Sequence, residues 1–228
     1  MADKDPKQNE PIELDVLNKE NEELKNNVTK GQKYVMWGMI AISVIAIIVI
    51  IYIFAVRNPG IKAANEAVSQ AYITLSQGND SVALAQYQQV ANEYGYEAGN
   101  RATLVAATML YRDGKYEEAI SNLKNFDPKE ALVGAAAMSL EGDCYVNLQK
   151  YSDALASYDK AIKISDNNAL YTPLFMLKKA TVLREQKDYA AELKVLKAIK
   201  ADYPEYSRAY NLDIDKYIAR AEYQASEK

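Results

Sequence analysis

The sequence contains no histidine and a single cysteine, Cys144. Without histidine, the chain lacks the commonest general base and the commonest metal ligand of enzymes. One cysteine excludes an intrachain disulfide, and the two shortages together leave zinc and iron–sulfur sites without their usual ligands. Cys144 itself is interpreted as a small buried apolar residue rather than as a reactive thiol. We therefore expect no metal site.

Two further absences exclude whole classes of function. The nine glycines are scattered, and none of them forms the glycine-rich pattern of a phosphate-binding or dinucleotide-binding loop. The formal net charge is −4, from 27 basic and 31 acidic residues, whereas a nucleic-acid-binding surface needs a basic excess or stripe. A catalytic serine–lysine pair stays open, although no residue recommends itself. The sequence predicts a protein that is not an enzyme, holds no cofactor and binds no nucleic acid.

Charge is also absent from residues 34–56, YVMWGMIAISVIAIIVIIYIFAV. As a helix this segment extends about 34 Å, enough to cross the hydrocarbon core of a bilayer. Tyr34 and Trp37 near one end and Tyr52 near the other suit the two membrane interfaces. A buried core helix fits less well, because the rest of the chain offers no apolar surroundings for it. A cleaved signal peptide also fits less well, because the apolar stretch and the polar segment before it are too long. We predict an uncleaved signal anchor.

Positive charge flanks this segment unequally. Four lysines lie between residues 19 and 33, and only two cations, Arg57 and Lys62, follow at a similar distance. Because cytoplasmic flanks carry the excess of lysine and arginine, we predict a cytoplasmic N-terminus with the remainder of the chain on the far side. Residues 58–60, Asn-Pro-Gly, are predicted to end the membrane helix.

Residues 1–33 form a polar tail with a short amphipathic segment. Its seam follows alternating steps of three and four residues: Leu14, Leu17, Asn21, Leu24 and Val28. An asparagine at a core position is typical of parallel dimeric coiled coils. Only about two heptads are present, whereas a firm assignment needs three or four. A homodimeric coiled coil and a lone amphipathic helix therefore both stay open.

The rest of the sequence is organised around residues 135–166, AAAMSLEGDCYVNLQKYSDALASYDKAIKISD. Helical spacing places Met138, Gly142 and Tyr145 on one face of a first predicted helix. The same spacing places four residues on one face of a second predicted helix: Tyr151, Ala154, Tyr158 and Ala161. The small residues Gly142 and Ala154 allow the two backbones to approach closely. In order and spacing, these residues reproduce the G-x-x-Y and [YF]-x-x-A patterns, and the pair resembles a tetratricopeptide repeat (TPR).

The resemblance extends to neighbouring segments. Ala119 precedes Ala154 by 35 residues, close to the roughly 34-residue period of the family, and the frame continues upstream to Ala83 and also downstream. Glu192 departs from the pattern, because it occupies a slot that holds alanine in the other repeats. The resemblance implies an all-α fold, with a TPR solenoid of about four helix-turn-helix repeats plus a capping helix over residues 62–228.

In TPR proteins the first helices of the repeats line a concave groove that binds partners. Carrying the family's groove positions onto this sequence gives a set of mixed chemistry: Asn65, Tyr72, Arg101, Thr108, Tyr111, Arg112, Asp143, Asn147, Thr181, Arg184 and Glu185. Such a set suits an extended peptide or an unfolded segment better than a phosphate. We expect Tyr72, Arg101, Tyr111 and Arg112 to form the densest cationic and aromatic cluster. Each residue can equally be an ordinary solvated position.

The order of a polar tail, one signal anchor and TPR repeats resembles the YfgM-type proteins of Gram-negative bacteria, and the segments AVSQAYITLSQGND and LYRDGKYEEAISNL fit that group. The resemblance implies a single-pass inner-membrane protein with a periplasmic TPR domain, acting in protein export or periplasmic protein quality control near the Sec translocon. The implied partners are translocon subunits, periplasmic chaperones and unfolded exported chains.

Two alternatives to this interpretation stay open. For function, the alternative is a structural organiser of an envelope complex that dimerises through the N-terminal tail. For location, the alternative is a mitochondrial outer-membrane import receptor, which has a similar anchor-then-TPR layout with its repeats in the cytosol.

Overall fold

The described part of the chain is helical throughout. The structure, a computed structural model, describes residues 11–95, 97–124, 126–128 and 131–227 and, within them, every side chain except those of residues 11–15, 27 and 28. The described residues form α-helices and one π-helical turn, with no strand among them. The all-α prediction is confirmed. Residues 1–10 of the predicted polar tail lie outside the described residues. The chain divides into two compact units between Pro59 and Gly60.

The first unit contains one long helix, α1 (Pro11–Tyr52), and a π-helical turn, Ile53–Arg57. The described side chains of α1 are all exposed, including the uncharged segment that begins at Tyr34. By length and composition this helix is able to cross a membrane. Leu17 and Leu24 of the heptad seam are also exposed, whereas the side chains of the seam residues 14 and 28 are outside the described set.

Residues 58–60 do not end the helical backbone, contrary to the prediction. Helix α2 (Asn58–Ser76) follows the π-helical turn directly. The N–H of Asn58 donates to the carbonyl of Ile53, five residues earlier. Pro59 has no N–H and so cannot donate to the turn before it, and the π-helical turn at this point interrupts the regular α-helical hydrogen bonds. The chain nevertheless stays helical through residues 58–60.

The second unit consists of helical hairpins that continue to a C-terminal cap. The hairpins pair α2 with α3 (Asp80–Glu93), α4 (Glu97–Arg112) with α5 (Tyr116–Leu123), α6 (Ala131–Asn147) with α7 (Tyr151–Ile164), and α8 (Tyr171–Glu185) with α9 (Tyr189–Asp202). Helices α10 (Pro204–Ala209) and α11 (Ile214–Ser226) follow. We call the first helix of each hairpin its A helix and the second its B helix. The predicted four repeats and capping helix are confirmed.

Small residues occupy the places where paired helices cross. Ala83, Ala119 and Ala154, which hold equivalent slots in three B helices, are fully buried. In α6, a methyl group added to Gly142 would lie 2.6 Å from Cε1 of Tyr158, well inside contact distance. The small residues that carry the TPR resemblance are thus required by the close packing of the hairpins.

The turns between A and B helices share one backbone conformation. One residue in each turn has φ between 58° and 80°: Gly78, Gly114, Gln149 and Lys187. The N–H of the following residue then donates to a carbonyl five positions earlier, as in the 2.8 Å bond from Lys150 to Tyr145. This arrangement satisfies carbonyls at the end of the A helix that would otherwise lack a donor.

Gln149→Gly is expected to raise the free energy of unfolding by about 1 kcal/mol. The left-handed conformation costs a residue with a side chain roughly 1–2 kcal/mol, and the greater freedom of glycine in the unfolded chain offsets part of the gain. Gly114→Ala places a side chain in the same left-handed conformation, so it is expected to lower the free energy of unfolding by about 1 kcal/mol. Urea unfolding of the full-length chain in detergent measures both. Equal stabilities for the two variants would contradict this account of the turns.

Glu192 occupies a buried B-helix slot because the cap, rather than a fifth repeat, packs against α9. Its side chain is 2% exposed, and its Oε1 accepts a 2.7 Å hydrogen bond from the guanidinium of Arg220 in α11. The guanidinium also lies 5.1 Å from the centre of the Tyr217 ring. The departure from alanine that the sequence shows at this slot is therefore the buried half of an ion pair, with Arg220 36% exposed, that joins the capping helix to α9.

Candidate partner-binding face

The A helices place equivalent residues side by side. Three hydrogen bonds join residues 35 or 36 positions apart: Arg101 to Asn65 at 3.2 Å, Asn147 to Tyr111 at 3.4 Å, and Lys178 to Asp143 at 2.5 Å. Because this separation equals one repeat, the bonds connect α2 with α4, α4 with α6, and α6 with α8. We call the surface that carries these residues, together with the other predicted groove residues, the A-helix face.

Tyr72 is the exposed aromatic residue of the A-helix face. Its side chain is 64% exposed, and its hydroxyl forms no hydrogen bond to any residue that the structure describes. Arg101, by contrast, donates a hydrogen bond to Asn65 and forms an ion pair of 3.4 Å with Glu97. Tyr72 is therefore available to a partner, whereas the charge of Arg101 is already balanced.

The predicted cluster of Tyr72, Arg101, Tyr111 and Arg112 is not compact. Arg101 and Arg112 are separated by 11 positions of α4, which places them about 16 Å apart along the helix axis. Arg112 forms an ion pair of 3.3 Å with Asp80 at the start of α3. The half-buried Tyr111 is packed against a second tyrosine ring, with the ring centres 5.5 Å apart. The structure thus places the two arginines at opposite ends of α4.

Asp143 belongs to an internal polar network. Its Oδ1 accepts from the Tyr158 hydroxyl at 2.7 Å, and its Oδ2 accepts from Lys178, which also donates to the Ser139 hydroxyl at 3.0 Å. Burial, followed by the nearby negative charge of Asp143, raises the pKa of Tyr158 well above its ordinary value. Tyr158 therefore keeps its proton and remains a donor. Sequence reasoning missed Lys178, although its position one repeat after Asp143 was a usable signal.

Ser139 and Lys178 form a serine–lysine contact, a type of pair that the sequence left open without naming residues. Ser139 is buried, and the Lys178 ammonium is paired with the Asp143 carboxylate. A nucleophile needs an accessible hydroxyl next to a group that can take its proton. The arrangement suits a structural ion pair that ties α6 to α8 instead.

The remaining predicted residues also find partners within the protein. The hydroxyls of Thr108 and Thr181 each donate to the carbonyl four residues earlier in their own helix, at 2.7 and 3.0 Å. Arg184 and Glu185 form an ion pair with each other at 3.3 Å. Each charged residue predicted for the groove therefore has an opposite charge beside it, so the A-helix face offers no unbalanced charge at these positions.

Cys144 lies next to Asp143 but is fully buried. Burial, and then the charges of Asp143 and Glu141, raise the pKa of its thiol to about 12. The thiolate is the reactive form of cysteine, so Cys144 is expected to be inert while the protein is folded. Among the described residues, no group of three cysteine or acidic side chains is placed to hold a metal ion.

Helical hairpins in one frame, with A helices in register, define a solenoid of helical repeats. The family model described as Tetratricopeptide repeat matches residues 135–168, the span of α6 and α7. A crystal structure of MamA is similar, with a TM-score of 0.50, 15% identity and coverage of 69% of this chain and 95% of MamA. A second MamA structure gives a TM-score of 0.50, 16% identity and coverage of 72% and 93%. Among curated proteins, none matches the chain. The chain has the fold of a TPR solenoid.

Proposed function

We propose that the chain is a membrane-tethered protein-interaction module whose A-helix face binds extended polypeptide segments. The observation that carries the proposal is the continuous A-helix face, in which hydrogen bonds between equivalent positions join four A helices. A surface of this kind, extending over several repeats, suits an elongated partner better than a compact one. The exposed, uncharged segment of α1 supports the membrane tether.

The bound segment is expected to be uncharged and to carry an apolar or aromatic side chain. Arg101, Arg112 and Asp143 are already paired with other residues, so a charged partner group would have to replace an existing interaction. Tyr72 remains exposed, and tyrosine is among the residue types that most often dominate binding energy at protein interfaces. Binding is therefore expected to be nearly independent of salt concentration.

Tyr72→Ala is expected to weaken binding of an unfolded polypeptide at least tenfold, a loss of about 1.4 kcal/mol. The probe is a fluorescent, permanently unfolded polypeptide titrated with the full-length chain in detergent. Tyr223→Ala is the matched control, because Tyr223 is also 64% exposed but lies on the capping helix. Both variants should keep native helicity. Equal affinities of the two variants for the probe would remove Tyr72 from the binding surface.

We further propose that the chain is a single-pass protein of the bacterial inner membrane, with a cytoplasmic N-terminus and a periplasmic TPR domain. The lysine bias before residue 34 and the resemblance to YfgM-type proteins support this placement. In this location the module acts in protein export or periplasmic quality control near the Sec translocon. Its partners are then translocon subunits, periplasmic chaperones and unfolded exported chains.

Cysteine labelling in intact cells tests this topology. A cysteine introduced at Lys228 is expected to react with a membrane-impermeant maleimide once the outer membrane is permeable, whereas one introduced at Lys7 should be protected. Cys144 should stay unlabelled in both variants, because it is buried with a raised pKa. Labelling at Lys7 with protection at Lys228 would reverse the proposed orientation.

The exposure of Leu17 and Leu24 on one seam of α1 favours a second candidate function. In this alternative the tail dimerises, and the chain organises an envelope complex. Sedimentation of the full-length chain in detergent distinguishes the two. A dimer that becomes a monomer in the double variant Leu17→Ser with Leu24→Ser would support the organiser, and a monomeric starting protein would exclude this mode of assembly.

A further inference from the structure

A polar cleft lies between the B helices of the first two repeats. It has a volume of about 400 Å³ and is bounded by α3, α4 and α5. Its lining is rich in amide and hydroxyl groups: Gln88, Asn92, Thr103, Glu118, Ser121 and Asn122. On α4, Thr103 is about 140° around the helix from Thr108 of the A-helix face. The cleft therefore opens on another side of the solenoid.

Much of the hydrogen-bonding capacity of the cleft is not used within the described part of the protein. Four of its lining side chains form no hydrogen bond with any residue that the structure describes: Gln88, Asn92, Ser121 and Asn122. Each of these groups can donate and accept at the same time. Gln88 and Asn92 come from α3, and Ser121 and Asn122 come from α5, so two facing helices offer the same neutral chemistry across the gap.

A neighbouring cleft also carries amide side chains, beside apolar residues, and contains a buried acceptor that lacks a donor. This second cleft, of about 220 Å³, lies between α2 and α3 and includes Gln70, Gln86 and Gln89. The Oε1 atom of Gln86 is buried and has no hydrogen-bond partner in the described part of the chain. A buried acceptor without a donor is unfavourable. A donor group from a bound molecule would remove this penalty.

We propose that the cleft between α3 and α5 is a second binding surface, which holds the backbone of an extended polypeptide. A primary amide side chain can pair with a peptide group through both its N–H and its C=O. Glu118 is the single ionisable residue that lines the cleft in the described chain, and a phosphate or nucleic acid would need cationic partners instead. Among the described residues no aromatic ring lines it, so a base or sugar ring would find no stacking partner.

The cleft between α3 and α5 is proposed to bind the main chain of a partner, whereas the A-helix face is proposed to bind a side chain of a partner. The two proposals are independent, because they use different helices and different residues. If both hold, an unfolded segment can be held through its backbone on one side of the solenoid and through an apolar side chain on another. Recognition through the backbone depends little on sequence, and it suits a protein that meets many different unfolded chains.

The test uses a neutral peptide of repeating Gly-Ser-Asn sequence, about twelve residues long, with blocked ends and a fluorescent label. Its affinity for the full-length chain in detergent is compared with that of an ester analogue, in which alternate backbone N–H groups are replaced by oxygen. The ester analogue is expected to bind at least tenfold more weakly. The triple variant Gln88→Ala, Asn92→Ala and Asn122→Ala is expected to weaken binding of the normal peptide by a similar factor.

The control is the double variant Gln77→Ala with Gln186→Ala, which removes exposed amides from two A–B turns and should not change the affinity. If the triple variant fails to fold, Asn92→Asp serves in its place. This single change at an exposed residue removes two hydrogen-bond donors and should also weaken binding of the peptide. Equal affinities for the peptide and its ester analogue would overturn the proposal. So would undiminished binding by a folded triple variant, or binding of chitotriose in place of the peptide. An effect of Tyr72→Ala alone would assign the peptide to the A-helix face instead.

Discussion

Arg220→Met is expected to lower the free energy of unfolding by about 3–5 kcal/mol. The change leaves the carboxylate of Glu192 without its cation at a site where the side chain is 2% exposed. The Oε2 atom of that carboxylate already has no hydrogen-bond partner in the described chain. A buried charge that loses its partner keeps the full cost of its removal from water. Urea unfolding of the full-length chain in detergent, followed by circular dichroism, measures the loss.

A double-mutant cycle separates the ion pair from the packing of the arginine stem. In a Glu192→Gln background, Arg220→Met should have a much smaller effect, because no buried charge is left unpaired. Lys200→Met is the matched control. Its ion pair with Asp215 joins the same two helices at 2.6 Å, but the two side chains are 55% and 69% exposed. Exposed pairs contribute about 0–1 kcal/mol. Equal losses for Arg220→Met and Lys200→Met would contradict the role of burial.

Gly142→Leu is expected to destabilise the central hairpin by about 1–3 kcal/mol or more. Even a methyl group at Gly142 would meet the Tyr158 ring at 2.6 Å. The ring cannot easily withdraw, since it is buried and its hydroxyl is bound to Asp143 at 2.7 Å. The higher helix propensity of leucine, worth up to about 1 kcal/mol, offsets only part of the clash. The midpoint of thermal unfolding should therefore fall by several degrees.

Gly95→Leu controls for the effect of adding a large side chain, because a Cβ atom at Gly95 would meet nothing within 4 Å. Its effect should stay within about 0.5 kcal/mol. Adding Tyr158→Ala to Gly142→Leu opens space for the leucine, so the double variant should be more stable than the sum of the single changes predicts. An unchanged melting temperature for Gly142→Leu would show that the repeat register is wrong at its best-defined point.

The register of the repeats could be predicted because it depends on local spacing. Residues 35 positions apart, such as Ala119 and Ala154, share a structural role, and both are fully buried. Helical periodicity placed Gly142 on the inner face of its helix, and the TPR resemblance implied that it lies where the paired helices cross. Each of these predictions needs only the geometry of a helix and the length of one repeat.

Pairings between elements could not be predicted in the same way. Glu192 was recognised as a departure, but its partner Arg220 lies in the cap, which follows no repeat period. The ion pair between Arg112 and Asp80 depends on how the end of α4 meets the start of α3. Helical periodicity assigns a residue to a face and leaves its hydrogen-bond partner open. For this reason the sequence suggested free arginines where the structure has balanced charges.

Sequence reasoning failed to predict two features, for different reasons. One is the helical backbone that follows the apolar segment, and the other is the polar cleft. Residues 58–60 have the composition of a helix end, but the helical backbone continues through them after a π-helical turn. The cleft between α3 and α5 was not predicted, because the family resemblance directs attention to the A helices alone. Taken one by one, the amide residues of the B helices look like ordinary solvated positions. Only the fact that they line one cavity distinguishes them from such positions.

The most direct test of the central claim, that the A-helix face binds extended polypeptides at the membrane, is site-specific photocrosslinking in living cells. A photoreactive amino acid replaces Tyr72, and an exported chain is arrested during translocation. We expect an adduct between position 72 and the arrested chain, with none from a matched probe at Tyr223 on the capping helix. The absence of an adduct at position 72, together with adducts from a probe at Asn21 in the N-terminal tail, would contradict the account.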